Sequence, residues 1–316
     1  MPQQYTVQEI DKKLLSYLLL DHTTQKNIIW ATDDYSHLGP EYAFAHEITL
    51  PCITGDYRSR LISPRVYKSK DQQAQRTKSK AEVFTPSWLC NAQNNLVDDA
   101  WFGRDNVFNT VTANGKIWTA TEGKIEFPED KTWKDYVKAN RMEITCGEAP
   151  YLVSRYDTTT GEHIALSQRI GLLDRKLRIV GENTSTLKEW LKWAEIAFKA
   201  TYGFEYQGDS LLIGRINLLK TFQEYLEQQT EHLEGRVPKN IHQKIAIIIS
   251  HNLWQMDGLT YTIPGGVAKS GSDFVQADLF DDDEESTEPA AYSPYCLLTN
   301  WDTGEAITFK SLVEKK

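Results

Sequence analysis

Three polar segments of this chain carry residue types that suit a nucleotide-like ligand. Residues 142–152 contain the pair Cys146-Gly147, and the segment is typical of the end of a buried strand that runs through a tight glycine turn into a helix. Turns of this kind direct main-chain N–H groups, and the N-terminus of the next helix, towards a bound ligand. Two later segments carry the carboxylates Glu205 and Asp257, and these segments have the form expected of partners of the glycine turn in a ligand pocket. The sequence therefore predicts a nucleotide-type pocket around the glycine turn.

The hydrophobic pattern predicts the elements that would position these segments. Helical spacing of apolar residues is found in residues 8–20, 87–101, 171–180, 186–202 and 209–228, while residues 243–250 fit a helix or a strand. We expect a hairpin within 105–130, helices at 131–139 and from about 150, and a strand at 204–206. Strand, turn and helix repeated in this order favour an α/β fold with a doubly wound sheet.

Composition narrows the class of protein. The chain has 316 residues, of which 40% are hydrophobic and 25% charged, as in an ordinary globular protein. Its longest apolar run, residues 245–249, is far too short to span a bilayer, and no secretory signal is visible. The four cysteines form no metal-binding spacing. We therefore expect a cytoplasmic protein with reduced thiols, no structural metal and no membrane partner.

The net charge of −9 conceals one strongly basic segment and one strongly acidic segment. Residues 58–80 hold eight Lys or Arg against one acid, whereas residues 278–288 hold seven acids and no base. One interpretation of the basic run is a phosphate-contacting surface with DNA as the partner; the other is a solvated loop with a helix. The candidate nucleic-acid contacts are Arg65, Lys68, Lys70, Lys78 and Lys80.

Residues 82–86 read Glu-Val-Phe-Thr-Pro and precede the glycine turn. Together the two segments resemble the adenine-N6 DNA methyltransferases of restriction–modification systems. In that family a Phe/Tyr-Thr-Pro motif lies against the methionine end of S-adenosylmethionine. The resemblance implies that Phe84, Thr85 and Pro86 contact this cofactor.

The family's glycine loop reads Leu-Glu-Pro-Ala-Cys-Gly-x-Gly-x-Phe-Leu. Here Glu143, Cys146, Gly147 and Leu152 align with it without a gap, which implies that Glu143, Thr145, Cys146 and Gly147 hold the methionine part of the cofactor. Ala149 replaces the second glycine and is tolerable if its φ stays negative. Pro150 suits the first turn of the following helix. The alternative is a strand–helix turn that binds no ligand.

Two further motifs follow in the family's order. Residues 202–218 resemble the family's second strand and the helix after it. The resemblance implies that Glu205, which is followed by Tyr206, accepts the ribose hydroxyls of the cofactor. Arg215 and Asn217 are expected to brace the helix. Residues 251–259 resemble its third motif, in which Asp257 would accept the adenine amino group; a turn is the alternative for that Asp-Gly pair. Asp174 is the carboxylate nearer to the glycine turn, but it lies within a helical pattern.

The family's catalytic motif, Asp/Asn/Ser-Pro-Pro-Tyr/Phe, has no counterpart, because the chain contains no Pro-Pro pair. The resemblance implies a Rossmann-like cofactor domain at 81–264, flanked by an extension at 1–80, an acidic linker at 265–291 and a β-unit at 292–316. We expect an S-adenosylmethionine-binding protein whose partner chain supplies the catalytic motif and DNA target recognition, with no catalytic residue identified in this chain. The alternative is an inactive homologue that acts as a DNA- or protein-binding accessory factor.

Overall fold

The computed structural model describes residues 7–55, 58–68, 85–265 and 294–314. Phe84, Lys70, Lys78 and Lys80 lie outside these ranges, as does the acidic segment 278–288. The predictions made for those residues therefore remain predictions.

Within these ranges the chain forms nine α-helices and nine short strands. The helices are α1 (Lys12–Leu19), α2 (Leu50–Ile53), α3 (Ser87–Phe102), α4 (Trp133–Lys138), α5 (Leu172–Asn183), α6 (Leu187–Lys199), α7 (Gly208–Thr230), α8 (Ile241–Asn252) and α9 (Phe309–Val313). The strands are β1 (Leu20–Asp21), β2 (Lys26–Asn27), β3 (Asn109–Val111), β4 (Trp118–Ala120), β5 (Arg141–Glu143), β6 (Thr201–Glu205), β7 (Leu253–Gln255), β8 (Leu297–Thr299) and β9 (Ala306–Thr308).

The largest described sheet has three parallel strands in the order β5-β6-β7. Glu143 pairs with Gly203, and Glu205 pairs with Gln255, so the three strands end at one edge. Helices α5 and α6 connect β5 to β6, and α7 and α8 connect β6 to β7. The other described pairs, β1-β2, β3-β4 and β8-β9, are antiparallel. The α/β class and the hairpin within 105–130 are confirmed.

Helix α7 lies at the centre of the packing. Its residues from Gly208 to Leu219 are buried on every side, because α8, the sheet and the N-terminal segment surround it. One hydrophobic core joins Leu15 and Leu18 of α1 to Ile245 of α8. The described part of the N-terminal segment is thus packed against the sheet helices.

Two predictions for local structure are wrong. No helix starts at about residue 150; the chain from Gly147 to Gly171 is irregular except for a 3₁₀ turn at Leu166–Gln168, and α5 begins only at Leu172. Pro150 therefore occupies no helical turn.

Helix α6 ends at Lys199 and β6 begins at Thr201, earlier than expected, because the Asn252 side chain donates hydrogen bonds to the carbonyls of 198, 199 and 201.

Ala149 has a φ of +63°, so the condition under which alanine is tolerable at this position is not met. This residue is 0% exposed and packs beside Gly214, where an added Cβ would lie 3.5 Å from the Ala149 methyl group and 3.0 Å from the Gly147 carbonyl oxygen. The close approach of α7 therefore holds Ala149 in the left-handed conformation that a glycine adopts without strain.

Arg215 of α7 joins four elements. Its guanidinium is 0% exposed and donates five hydrogen bonds, all to main-chain carbonyls: those of Leu18, Leu20, Ser250 and Leu253. Burial lowers the pKa of Arg215 to about 10, so the side chain remains charged at neutral pH. The prediction that Arg215 braces the helix is confirmed.

We expect Arg215→Met to lower the free energy of unfolding by about 3 kcal/mol or more, because several buried carbonyls lose their donors. Arg215→Lys should be intermediate, since an ammonium group keeps the charge with fewer donors. Lys188→Met, at an exposed position of α6, removes one positive charge and is the control. Urea unfolding followed by tryptophan fluorescence measures the difference; an Arg215→Met protein as stable as the control contradicts this role.

The turn after β1 brings His22 onto the end of α8. The His22 and His251 rings stack with centroids 3.4 Å apart, and His22 Nε2 lies 2.9 Å from Ser250 Oγ. Burial, followed by the charges of His251 and Arg215, lowers the pKa of His22 from 6.5 to about 3. The folded protein therefore excludes a proton that the unfolded chain binds near pH 6.5.

Stability from this effect is complete above about pH 6.5 and declines as the pH falls towards about 3. We expect the melting temperature of His22→Gln to fall less steeply than that of the wild type between pH 7.5 and 5. Thermal unfolding by circular dichroism measures both slopes. Equal slopes in the two proteins would show that His22 does not carry the effect.

Candidate ligand-binding site at the carboxyl edge of the parallel sheet

The parallel sheet places the three predicted polar segments at one edge. The glycine turn follows β5, Glu205 is the last residue of β6, and Asp257 lies two residues beyond the end of β7. Main-chain hydrogen bonds continue past the strands, from Cys146 N to Phe204 O at 2.8 Å and from Met256 N to Glu205 O at 3.0 Å. These bonds fix the two outer segments relative to Glu205.

The Glu205 carboxylate is held by main-chain donors on both sides. Gly147 N donates to Glu205 Oε2 at 2.8 Å, and Gln207 N donates to Oε1 at 3.1 Å. Only 9% of Glu205 is exposed. The carboxylate thereby connects the glycine turn of β5 to the start of α7.

The glycine turn has an alternating backbone. Thr145, Gly147 and Ala149 have φ values of +50°, +51° and +63°, whereas Cys146 and Glu148 between them are not among the positive-φ residues. Alternation of this kind turns successive N–H groups towards a common side and favours an anionic acceptor. Glu205 is such an acceptor for the Gly147 N–H. Thr145 is exposed, and its hydroxyl donates to the Ile144 carbonyl at 2.7 Å.

The Glu143 side chain holds the chain at the point where it leaves the glycine turn. Its two carboxylate oxygens accept the N–H groups of Tyr151 and Leu152 at 3.4 and 3.2 Å. Burial raises the pKa of Glu143 well above its usual range, and the Glu205 charge adds to the rise, while the two N–H donors oppose it. Burial also raises the pKa of the Cys146 thiol, which is 1% exposed. Both side chains therefore face the interior beneath the turn.

Thr85 and Pro86 lie next to the chain that follows the glycine turn. The Thr85 carbonyl accepts the Thr158 hydroxyl at 2.9 Å. Helix α3 starts directly after Pro86, and Ser87 N donates to Asp157 Oδ2 at 2.7 Å. The structure thus holds the Thr-Pro pair against residues 157–158 of the irregular segment that follows the glycine turn, and no hydrogen bond among the described residues joins the pair to Gly147 itself.

Asp257 forms the turn that follows β7. Its Oδ1 accepts the N–H groups of Leu259 and Thr260 at 2.8 and 3.3 Å. Its Oδ2 has no hydrogen-bond partner within the described part of the chain. Tyr206 lies close by: burial raises the pKa of its phenol, and the Asp257 charge contributes. One carboxylate oxygen thus holds the turn and the other is available to a ligand.

Arg65 and Lys68 are not on the surface. Lys68 Nζ lies 3.2 Å from Asp209 Oδ2 and donates to the Tyr35 hydroxyl at 2.8 Å, with its side chain 9% exposed. Arg65 is 4% exposed, and its main-chain N–H donates to Glu148 Oε1 at 2.6 Å. As folded, neither residue presents its charge to a phosphate backbone, so they lend no support to the predicted DNA-binding surface.

Sequence reasoning missed the residues that support the turn. Asn217 Nδ2 donates to the Glu148 carbonyl at 3.0 Å and to the Tyr156 hydroxyl at 3.1 Å, which anchors α7 to the turn. Glu148 in turn accepts from Tyr156. The only sequence signal was Asn217 itself, which was expected to brace its own helix and also braces the glycine turn.

No family model, curated protein or solved structure matches this chain. In the described ranges no group of three or more His, Cys, Asp or Glu residues is arranged to hold a metal ion. None of the described helices combines the length and the apolar character needed to cross a bilayer. The four cysteines are buried and unpaired.

We expect Glu205→Gln to lower the free energy of unfolding by about 1–3 kcal/mol, because an amide has one acceptor atom for two main-chain N–H groups. Asp257→Asn is the matched control, since its amide oxygen can replace Oδ1 in the turn. Urea unfolding of both variants measures the difference. If Glu205→Gln is no less stable than Asp257→Asn, the Glu205 carboxylate does not stabilise the connection between the glycine turn and α7.

Proposed function

We propose that the carboxyl edge of β5, β6 and β7 binds S-adenosylmethionine in a Rossmann-like arrangement of the adenine-N6 DNA methyltransferase type. The proposal rests on the order in which polar groups follow the three parallel strands. A glycine turn, a carboxylate and a second carboxylate follow three adjacent parallel strands in chain order. Ligands of open α/β sheets bind outside the carboxyl ends of the strands.

The positions of the two carboxylates support specific roles at this edge. Glu205 ends β6 beside the glycine turn, where its carboxylate would accept the ribose hydroxyls of the cofactor while it also holds the N–H groups of Gly147 and Gln207. Asp257 Oδ2 suits the amino group of adenine. Thr85, Pro86 and the glycine turn would hold the methionine end, as the family resemblance implies.

Ala149 does not meet the condition set for the family's second glycine position, because its φ is +63° rather than negative. The bound cofactor would supply an electrophilic methyl group. Because the chain contains no Pro-Pro pair, the groups that align a target amine, and DNA target recognition, would come from a partner chain.

A second candidate function is that of an inactive homologue serving as a DNA- or protein-binding accessory factor. It is favoured by the Gly147–Glu205 bond, because an internal carboxylate already satisfies the N–H group that a ligand would meet. The buried Ala149 methyl also occupies space that a glycine would leave open. Binding of the cofactor separates the two candidates.

Titration calorimetry with S-adenosylmethionine tests the proposal. Asp257→Asn is expected to weaken binding about 10-fold or more, because an amide N–H₂ group would face the adenine amino group where Oδ2 accepts from it. Asp302→Asn, in the exposed turn between β8 and β9, is the control and should bind like the wild type. Absence of binding to the wild type would favour the accessory factor, and equal affinities for the two variants would refute the role of Asp257.

A further inference from the structure

Helix α3 (Ser87–Phe102) is largely polar on its buried side and largely apolar on its exposed side. Four of its six buried residues are polar: Ser87, Asn91, Asn94 and Asp98. On the opposite side Leu96 is 69% exposed and Val97 is 42% exposed. Ala92 and Ala100, each about one turn from Leu96, are exposed as well. Helices at the surface of a globular protein normally have the reverse arrangement.

Hydrogen bonds hold the polar side of α3 against the interior. Arg175 of α5 donates to Asp98 Oδ2 at 2.6 Å and to Asn91 Oδ1 at 2.9 Å. The side chains of Asn91 and Asn109 donate to each other at 3.0 and 2.9 Å, which joins α3 to β3. Rotation of the helix to bury Leu96 would break these bonds and leave polar groups unpaired in the interior. The apolar side therefore stays at the surface of the single chain.

The β3–β4 hairpin lies along one flank of this apolar side. Asn109 joins it to α3, and Lys116 in its turn has Nζ 5.9 Å from the centroid of the Trp88 ring, at the start of the helix. Ile117, the next residue, adds an apolar side chain that is 61% exposed. We call the exposed side of the helix the α3 surface; it consists of Leu89, Ala92, Leu96, Val97 and Ala100. An exposed apolar stripe of this kind is typical of a protein–protein contact.

The α3 surface has a negative charge near one end and a positive charge near the other. Asp99 lies on the same side of the helix towards its C-terminal end, whereas Lys116 lies at the N-terminal end beside Trp88. At 1.5 Å per residue, the helix from Trp88 to Asp99 spans about 16 Å. Neither charge forms an ion pair with another residue of the described part of the chain. Burial raises the pKa of Asp99, and the charges of Asp105 and Asp98 add to the rise, so a further positive charge would stabilise its ionised form.

We propose that the α3 surface binds a second copy of this chain, with the two α3 helices antiparallel about a twofold axis. The charges favour this partner, because in an antiparallel pair Asp99 of each copy lies beside Lys116 of the other. In the same register Leu96 of each copy lies against Ala92 of the other, so that a large side chain faces a small one. A parallel pair would instead place the two Asp99 side chains at the same end, where like charges repel. The interface goes beyond the proposed cofactor function and shares none of its residues.

Sedimentation equilibrium of the full chain between about 1 and 100 µM tests the proposal, since an interface of one helix per copy belongs to the weaker class. We expect the wild type to dimerise in this range. Leu96→Glu should weaken the dimer about 10-fold or more, because the new carboxylate would be buried without a partner. Ala92→Glu, a second variant on the same side, should have the same effect. Leu312→Glu in α9, where the leucine is 44% exposed, is the matched control and should dimerise like the wild type.

Exchange of the two charges identifies the partner and its direction. Asp99→Lys should weaken the dimer about 10-fold, because each Lys116 would then meet a lysine of the other copy. Lys116→Asp should weaken it by a similar factor, because two carboxylates would then meet. The variant with both substitutions restores opposite charges and should recover most of the affinity. Circular dichroism of each variant, at a concentration at which the chain is monomeric, checks that the fold is unchanged.

Three results would overturn the proposal. A wild-type chain that remains monomeric up to about 100 µM would show that a second copy is not the partner of the α3 surface. A dimer that persists in both Leu96→Glu and Ala92→Glu would place the interface elsewhere on the chain. A double charge variant that dimerises as weakly as either single variant would exclude the antiparallel arrangement.

Discussion

The hydrogen bonds of Arg215 are the constraint on which the rest of the site depends. A buried guanidinium that donates only to main-chain carbonyls fixes α7 against β7, the end of α8 and the N-terminal segment. The same helix carries Gly214, which lies against the glycine turn, and Asn217, which donates to the turn. The positions of the glycine turn after β5 and of Asp257 after β7 are therefore set by one helix between them.

The Gly147–Glu205 bond closes the carboxyl edge on itself. Together with the Gln207 N–H bond, it makes one carboxylate the connection between the glycine turn and the start of α7. A ligand at this edge would have to share Glu205 with these two N–H groups or displace them. The same bond that orders the edge therefore competes with the proposed cofactor.

The sequence was sufficient to predict the long helices and the polar ends of the parallel strands, but not the short helices or the irregular chain after the glycine turn. Apolar spacing predicted α7, and the polar residues after each apolar run predicted the edge where Gly147, Glu205 and Asp257 meet. The irregular path after Gly147 could not be predicted, because its main-chain groups are satisfied by Asn217, distant in sequence, and by the buried carboxylate of Glu143. Local periodicity contains no information about such long-range bonds.

The basic run shows the same limit. Its charges suggested a surface, yet Lys68 pairs with Asp209, which lies 141 residues further along the chain, and Arg65 is held by Glu148. A charge count along the sequence cannot reveal a partner of opposite sign that folding brings from elsewhere.

Hydrogen–deuterium exchange of the full chain, with and without S-adenosylmethionine, shows where this cofactor binds. If it binds at the carboxyl edge, exchange slows only in the glycine turn, in the residues after β6 and in the turn at Asp257. Protection elsewhere, or none at saturating cofactor, would contradict the assignment of the ligand site to this edge.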